Sequence, residues 1–126
     1  MRPRKTKYRL AQRGDYRKAH KLTGWKARMS WPTVVAERDG ELIGVIGTHA
    51  RRDAVVAGFL YAPHPIVALR LIEAYERVLR LAGVREYWFS LAKDAPERWR
   101  RVVEENPDLV EPRGERDGVS WFKRKL

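Results

Sequence analysis

The chain has no cysteine, which excludes disulfide cross-links and thiolate chemistry and suits an intracellular setting, cytoplasmic or within a virion. Long apolar runs are missing too. The longest, Val55 to Ala62 with Ala54 before it, reaches only half of the roughly 18 residues that a membrane-spanning helix needs. The basic opening Met1-Arg2-Pro3-Arg4-Lys5 leads into no apolar stretch, so a secretory signal peptide is not expected. Side-chain amides are reduced to Gln12 and Asn106. With only two methionines, this leaves a chain poor in thermolabile residues, as suits a hot environment, although nineteen Arg against eight Lys is equally what genomic base composition imposes. No HExxH, CxxC, Walker or GxSxG spacing occurs, so metal, nucleotide-hydrolysing and serine-hydrolase chemistries have no support and no metal ligand is assigned.

What is present is a chain of 126 residues, enough for one domain over 1–126 with a core of its own. At 44% apolar and 34% charged, its composition is that of a folded protein. The formal net charge of +11 is unevenly spread: residues 1–30 hold eleven Lys and Arg against the single acid Asp15, whereas residues 31–126 hold sixteen against fifteen acids. A leading segment of +10 on a nearly neutral body attracts polyanions, whether nucleic-acid phosphate, acidic protein or anionic lipid, through a field that salt weakens. Its cations are Arg2, Arg4, Lys5, Lys7, Arg9, Arg13, Arg17, Lys18, Lys21, Lys26 and Arg28. They suit nucleic acid if they contact phosphates while Trp25 or Trp31 stacks on bases; solubility alone is the plainer account of the same charge.

Tyr8-Arg9-Leu10-Ala11 reads as a strand, and Asp15 as the cap of a short helix over Tyr16 to Leu22. A glycine before that cap accounts for the integrin-type tripeptide Arg13-Gly14-Asp15 without any partner. Gly24 and Pro32 bracket an irregular basic connection, Trp25 to Trp31, so residues 1–30 comprise the first strand, a short helix and a connection. Thr33 to Arg38 and Glu41 to Thr48 flank Asp39-Gly40, a hairpin signal because both turn residues need positive φ. Val55 to Ala62 is apolar on both faces, the mark of a central strand covered on two sides.

Pro65 suits the first position of a helix in which Ala68, Leu71, Ile72, Tyr75, Val78, Leu79 and Ala82 recur at three- and four-residue spacing. Glu73 with Arg77 and Glu76 with Arg80 fall on its wet face as i,i+4 pairs, and Gly83 ends it. Val84 to Leu91 is aromatic and β-prone, which completes a βαβ unit with parallel strands and a right-handed crossover. Asp94 opens a helix to Glu105 that presents Trp99, Val102 and Val103 on one face. Leu109-Val110 and Val119 to Phe122 flank Gly114 and Asp117-Gly118 and close the chain as a second, longer antiparallel connection. The fold class is α/β (α+β): a mixed, mostly antiparallel twisted sheet with a central βαβ unit and flanking helices.

This order of elements, with the stretch Val34 to Gly47 and the ending Gly118 to Leu126, resembles the GNAT superfamily of N-acetyltransferases over nearly the whole chain. The resemblance implies that the strand Val55 to Ala62 splays from Val84 to Leu91, and that the acyl-pantetheine arm of acetyl-CoA lies in the gap. It also implies a glycine-rich loop at the start of the following helix, whose amides cradle the pyrophosphate. Here that loop is the short, glycine-free Ala62-Pro63-His64-Pro65-Ile66, and two of its residues have no N–H. If acetyl-CoA binds, the contacts implied are Leu60, Tyr61, Ala62, His64 and Ile66. The family's thiol-protonating tyrosine falls on Trp99 and its frequent asparagine on Ala92, and an indole cannot protonate a thiolate.

General-base candidates are Glu37 and Glu41 beside the hairpin turn, His49 at the end of its second strand, and Tyr61 and His64 at the mouth of the gap. Each also has a plainer role as a solvated or packed side chain. Three functions follow: a GNAT-type module with weakened or lost acetyl-CoA chemistry, binding through its basic segment; an active N-acyltransferase on an amine; or a nucleic-acid binder. The cofactor is accordingly none or acetyl-CoA. Compact GNAT-like proteins occur among bacteriophage gene products, so the resemblance allows a phage or accessory role. Trp25, Trp31, Trp88 and Trp121 exceed what a small core hides, which suits a homo-oligomer or an assembly partner.

Overall fold

A computed structural model describes residues 5–51 and 53–126; the sequence-assigned cations Arg2 and Arg4 lie outside the described residues. The elements are β1 (Thr6–Leu10), α1 (Arg13–Thr23), β2 (Met29–Arg38), β3 (Glu41–Ala50), β4 (Val55–Tyr61), α2 (Pro65–Leu81), β5 (Glu86–Ala92), α3 (Glu97–Glu104), β6 (Val110–Arg116) and β7 (Val119–Lys125). They build one seven-stranded sheet in the order β1-β2-β3-β4-β5-β7-β6. Every neighbouring pair is antiparallel except β4 and β5, which α2 joins in parallel as the expected βαβ unit. Among the described residues no helix is long and apolar enough to cross a membrane.

The alternation of side chains along a strand explains the two-sided core. Pro32 to Ala36 of β2 are buried without interruption, because Val34 and Ala36 face α2 while Val35 faces α1. On the α2 side, Val67, Leu71, Tyr75 and Leu79 pack on Val34, Ala36, Ile46 and Tyr87. On the other side, Ala19 meets Met29, Val35, Val45 and Phe59. Asp39 and Gly40 have the expected positive φ, 53° and 80°; Asp117 and Gly118, at 55° and 76°, form an equally tight turn in place of the longer connection expected, because β6 continues to Arg116.

Several local expectations are corrected. Helix α1 starts two residues before Asp15, at Arg13, with Gln12 as its N-cap; Asp15 caps from inside the first turn, accepting the Gln12 N–H at 2.7 Å. The same carboxylate takes two bonds from Arg9 of β1, whose Nε donates to Glu37 of β2 at 3.0 Å, so the start of α1 is pinned to the sheet. The irregular stretch ends earlier than Trp31, since Met29 and Ser30 already pair with His49 and Thr48. Asp94 does not cap α3: Ala95 N–H bonds back to the Ala92 carbonyl, holding residues 92–95 in a turn, and the helix begins after Pro96. Glu76 pairs with Arg80 at 3.8 Å as expected but is not on a wet face, being buried at 6% exposure, and Glu73 pairs with Arg70 at 3.1 Å rather than with Arg77. The far end of β4 is covered less than expected, with Leu60 and Tyr61 each 39% exposed.

Candidate functional site

The middle of the sheet is split by a defect with a local cause. Pairing of β3 with β4 passes from Gly47↔Phe59 to Thr48↔Ala57, which leaves Gly58 as an extra residue in β4. Such a bulge bends its strand and increases its twist. A Cβ on Gly58 would lie 2.7 Å from the Cβ of His49, so the close approach of the two strands there requires glycine. Beyond the bulge β4 leaves its parallel neighbour; β4 and β5 pair in register only at Val56↔Trp88.

The wedge between them opens into a cavity of about 220 Å³. Phe59 and Leu60 line it from β4, Phe89 and Leu91 from β5, Ile72 from α2, and Trp99, Val102 and Val103 from α3. The amphipathic spacing of α3 is thus spent on covering the gap. Among its polar lining groups, the Glu76 carboxylate accepts from Arg124 through Nε at 2.9 Å and Nη2 at 3.1 Å, and from the Tyr87 hydroxyl at 2.7 Å. Burial first, and the adjacent Glu76 charge second, push the Tyr87 hydroxyl well above its ordinary value, so it stays a donor. With Glu76 fully engaged, Ser90 is the one further hydroxyl on the lining. Among the described residues, the cavity is therefore a mostly apolar slot whose acid is already engaged with Arg124 and Tyr87, the kind of lining that holds a ligand.

The link from β4 to α2 is only three residues long, 62–64. His64 is the N-cap of α2 in extended conformation, makes no side-chain cap bond and is exposed. Its carbonyl accepts the Ala68 N–H at 3.1 Å, closing the first turn. Pro63 and Pro65 supply no amide, so His64, Ile66 and Val67 hold the backbone donors left at this end.

The sequence-assigned residues are dispersed. Leu60 reaches the cavity, with Tyr61, Ala62, His64 and Ile66 following it along the link and the start of α2. Glu37 is bound by Arg9, and Glu41 is exposed beside the first Asp-Gly turn. His49 sits at the other end of β3, opposite Val56, its ring 6.1 Å from that of Phe59. Of the leading cations, Arg9 is engaged with Asp15 and Glu37, while Lys5, Lys7, Arg13, Arg17, Lys18, Lys21, Lys26 and Arg28 are exposed. Trp25 packs on Phe59 with ring centroids 5.4 Å apart, whereas Trp31 is 59% exposed. Sequence reasoning missed the Glu76, Arg124 and Tyr87 cluster, although Ile72, Tyr75, Glu76 and Leu79 share one i, i+3, i+4, i+7 stripe and so place the glutamate on the inward face.

Comparison with solved structures matches this arrangement of strands and helices. An acetyltransferase of the GNAT family from Listeria monocytogenes superposes with a TM-score of 0.65 at 11% identity, over 96% of this chain and 95% of that one. Naa50 from Arabidopsis thaliana, in complex with the bisubstrate analogue CoA-Ac-MVNAL, gives 0.69 at 8% identity, over 96% and 99%. The chain has the GNAT fold. The PaiA N-acetyltransferase of Thermoplasma acidophilum, in complex with coenzyme A, gives 0.62 at 14% identity; 75% of this chain is covered, and it spans 60% of the length of that protein. No protein-family model matches the GNAT-fold chain, and no curated protein matches it.

Proposed function

We propose that this GNAT-fold chain has weakened or lost acetyl-CoA chemistry and works as a binding or structural module through its basic leading segment. The observation that carries the reading is the three-residue, two-proline link between β4 and α2. The apolar slot fits a thioester arm, but this end of α2 does not fit a diphosphate. An anion cradle is made of converging amides on a backbone that can approach closely, and here two of the amides are absent and no glycine is present. Among the described residues the cavity's acid and its partners are engaged with one another, and Trp99, which the resemblance sets at the family's tyrosine position, lines the slot with an indole. Isothermal titration with acetyl-CoA is expected to show no micromolar binding. Replacing both prolines, Pro63→Ala with Pro65→Ala, returns two amides and is expected to tighten whatever binding exists; micromolar affinity in the unaltered chain would sink the reading.

The split of β4 from β5 favours a second reading, an acyl-CoA-dependent N-acyltransferase that transfers directly to an amine. Backbone amides around Leu60 to Ala62 would face the thioester carbonyl in this reading. Thiol release that stays at background across a broad amine panel removes it.

A further inference from the structure

The buried face of α1 carries Asp15 and Ala19, with Tyr16, His20, Leu22 and Thr23 partly covered. Its outward face is Arg13, Gly14, Arg17, Lys18 and Lys21, and Lys26 and Arg28 stay exposed just beyond the Gly24 cap. Among the described residues, none of these six cations has an ion-pair partner. The one acid of the segment is withdrawn beneath Arg9, at 4% exposure. Arg13, Arg17 and Lys21 therefore form a row with a rise of about 6 Å per step. Like charges at this spacing repel, and cations in the first turn oppose the positive end of the helix dipole. Within the described chain the Asp15 carboxylate acts on this row through Lys18, but it is already bound to Arg9, so the face keeps an excess of charge that an anion from outside can neutralise.

We propose that the outward face of α1, continued by Lys26 and Arg28, binds the sugar-phosphate backbone of nucleic acid without reading its sequence. The row of cations repeats at a regular interval, as the phosphates of a strand do. Asn, Gln, Ser and Thr, which would add hydrogen bonds to base edges, are missing from the face. A membrane surface is disfavoured because the apolar side of α1 is spent on the sheet, leaving nothing to insert between acyl chains. An acidic protein offers carboxylates at irregular spacing, and the regular row favours a regular polyanion. The inference rests on the binding-module reading, but a titration with DNA is blind to acetyl-CoA, so the two fail separately.

Fluorescence anisotropy with short DNA duplexes of two unrelated sequences tests it. Both are expected to bind alike, with a log–log salt slope of about −5 if all six cations meet phosphates, or about a thousandfold loss between roughly 50 and 200 mM salt. The double variant Arg17→Gln with Lys21→Gln should weaken binding about tenfold or more and make the slope shallower by about 2. Its thermal melt should not fall, since both side chains are exposed and unpaired. A charge-matched control, Arg77→Gln with Arg98→Gln, alters two exposed arginines on α2 and α3 and should bind as the unaltered chain does. No binding at low salt, an equal loss in the control, or stronger competition by polyglutamate or anionic vesicles than by unlabelled DNA would overturn the proposal.

Discussion

Glu76 shows how one residue commits a region of the fold. Its carboxylate sits in the helix stripe that faces the sheet, and Arg124 and Tyr87 replace the water it has lost. Removing one partner should be far worse than the pair's net worth, because among the described residues only the exposed Arg80, 3.8 Å away, then faces a buried charge. Arg124→Ala is expected to cost about 3–5 kcal/mol, and Tyr87→Phe, which leaves the guanidinium in place, about 2 kcal/mol, both read from urea denaturation. Near-equal losses would mean that the charge is solvated from elsewhere. Asp15 sets the acid limit: hydrogen bonds from Arg9 hold its carboxyl below the ordinary 3.8, against burial that works to raise it. A depressed folded value gives stability that is complete above pH 3.8 and disappears as pH falls through the lower folded value. Asp15→Asn should therefore flatten the acid limb of a melting-temperature profile. At the alkaline end, burial pushes Tyr75 from 10.0 up to about 12, against the Thr48 hydrogen bond. Its contribution should be whole below pH 10 and fade as pH climbs towards 12, and Tyr75→Phe should make that slope shallower while leaving the part that the raised Tyr87 supplies.

Among the elements, β4 and α1 respond to the same substitution with opposite signs. Gly58→Ala places a methyl 2.7 Å from a Cβ that cannot rotate away, so it should cost about 1–3 kcal/mol. Gly14→Ala meets nothing within 4 Å in the first turn of α1 and should stabilise by about 0.5–1 kcal/mol. Chemical denaturation of both variants checks the pair, and a neutral Gly58→Ala would show that the strands can part further. What the sequence made legible follows the same division between local and distant causes. The first Asp-Gly hairpin, the apolar positions of α2 and the order of elements along the chain are dictated by turn chemistry and period and are legible in the sequence, whereas the closing pair is joined by a tighter turn than its longer expected connection. The start of α1 is not legible, because the Asp15 cap depends on Arg9 reaching across from β1. The start of α3 depends on the 92–95 turn, which no spacing signals. In the candidate site, the strand that carries Leu60 and the helix that carries Trp99 could be placed from the order of elements, but the engagement of Glu37 by Arg9 and the position of His49 opposite Val56 are consequences of strand register.

Taken as a whole, the molecule has two unlike sides. One carries α2 and the cavity beneath α3; the other carries α1 and, past β4, a concave sheet surface where Arg113 lies over Trp88 and Arg51 over Trp121, each 5.5 Å from the ring centroid. Trp88 and Trp121 also belong to this surface beside Glu86, Glu115 and Asp117, so it is close to neutral, and the excess positive charge is concentrated around α1. Self-repulsion of that kind acts over about 10 Å at 0.1 M salt and shortens as salt rises. The exposed ion pairs that salt also weakens, such as Arg70 with Glu73 and Arg113 with Glu111, contribute little in water. Repulsion should therefore win the balance, and the melting temperature should rise by roughly a few degrees between about 0.05 and 0.5 M sodium chloride. The variant Arg17→Gln with Lys21→Gln should start higher and rise less, because part of the repulsion is already gone. A melting temperature that falls with salt in both proteins would mean that paired surface charges, not the row on α1, govern the electrostatics of the fold.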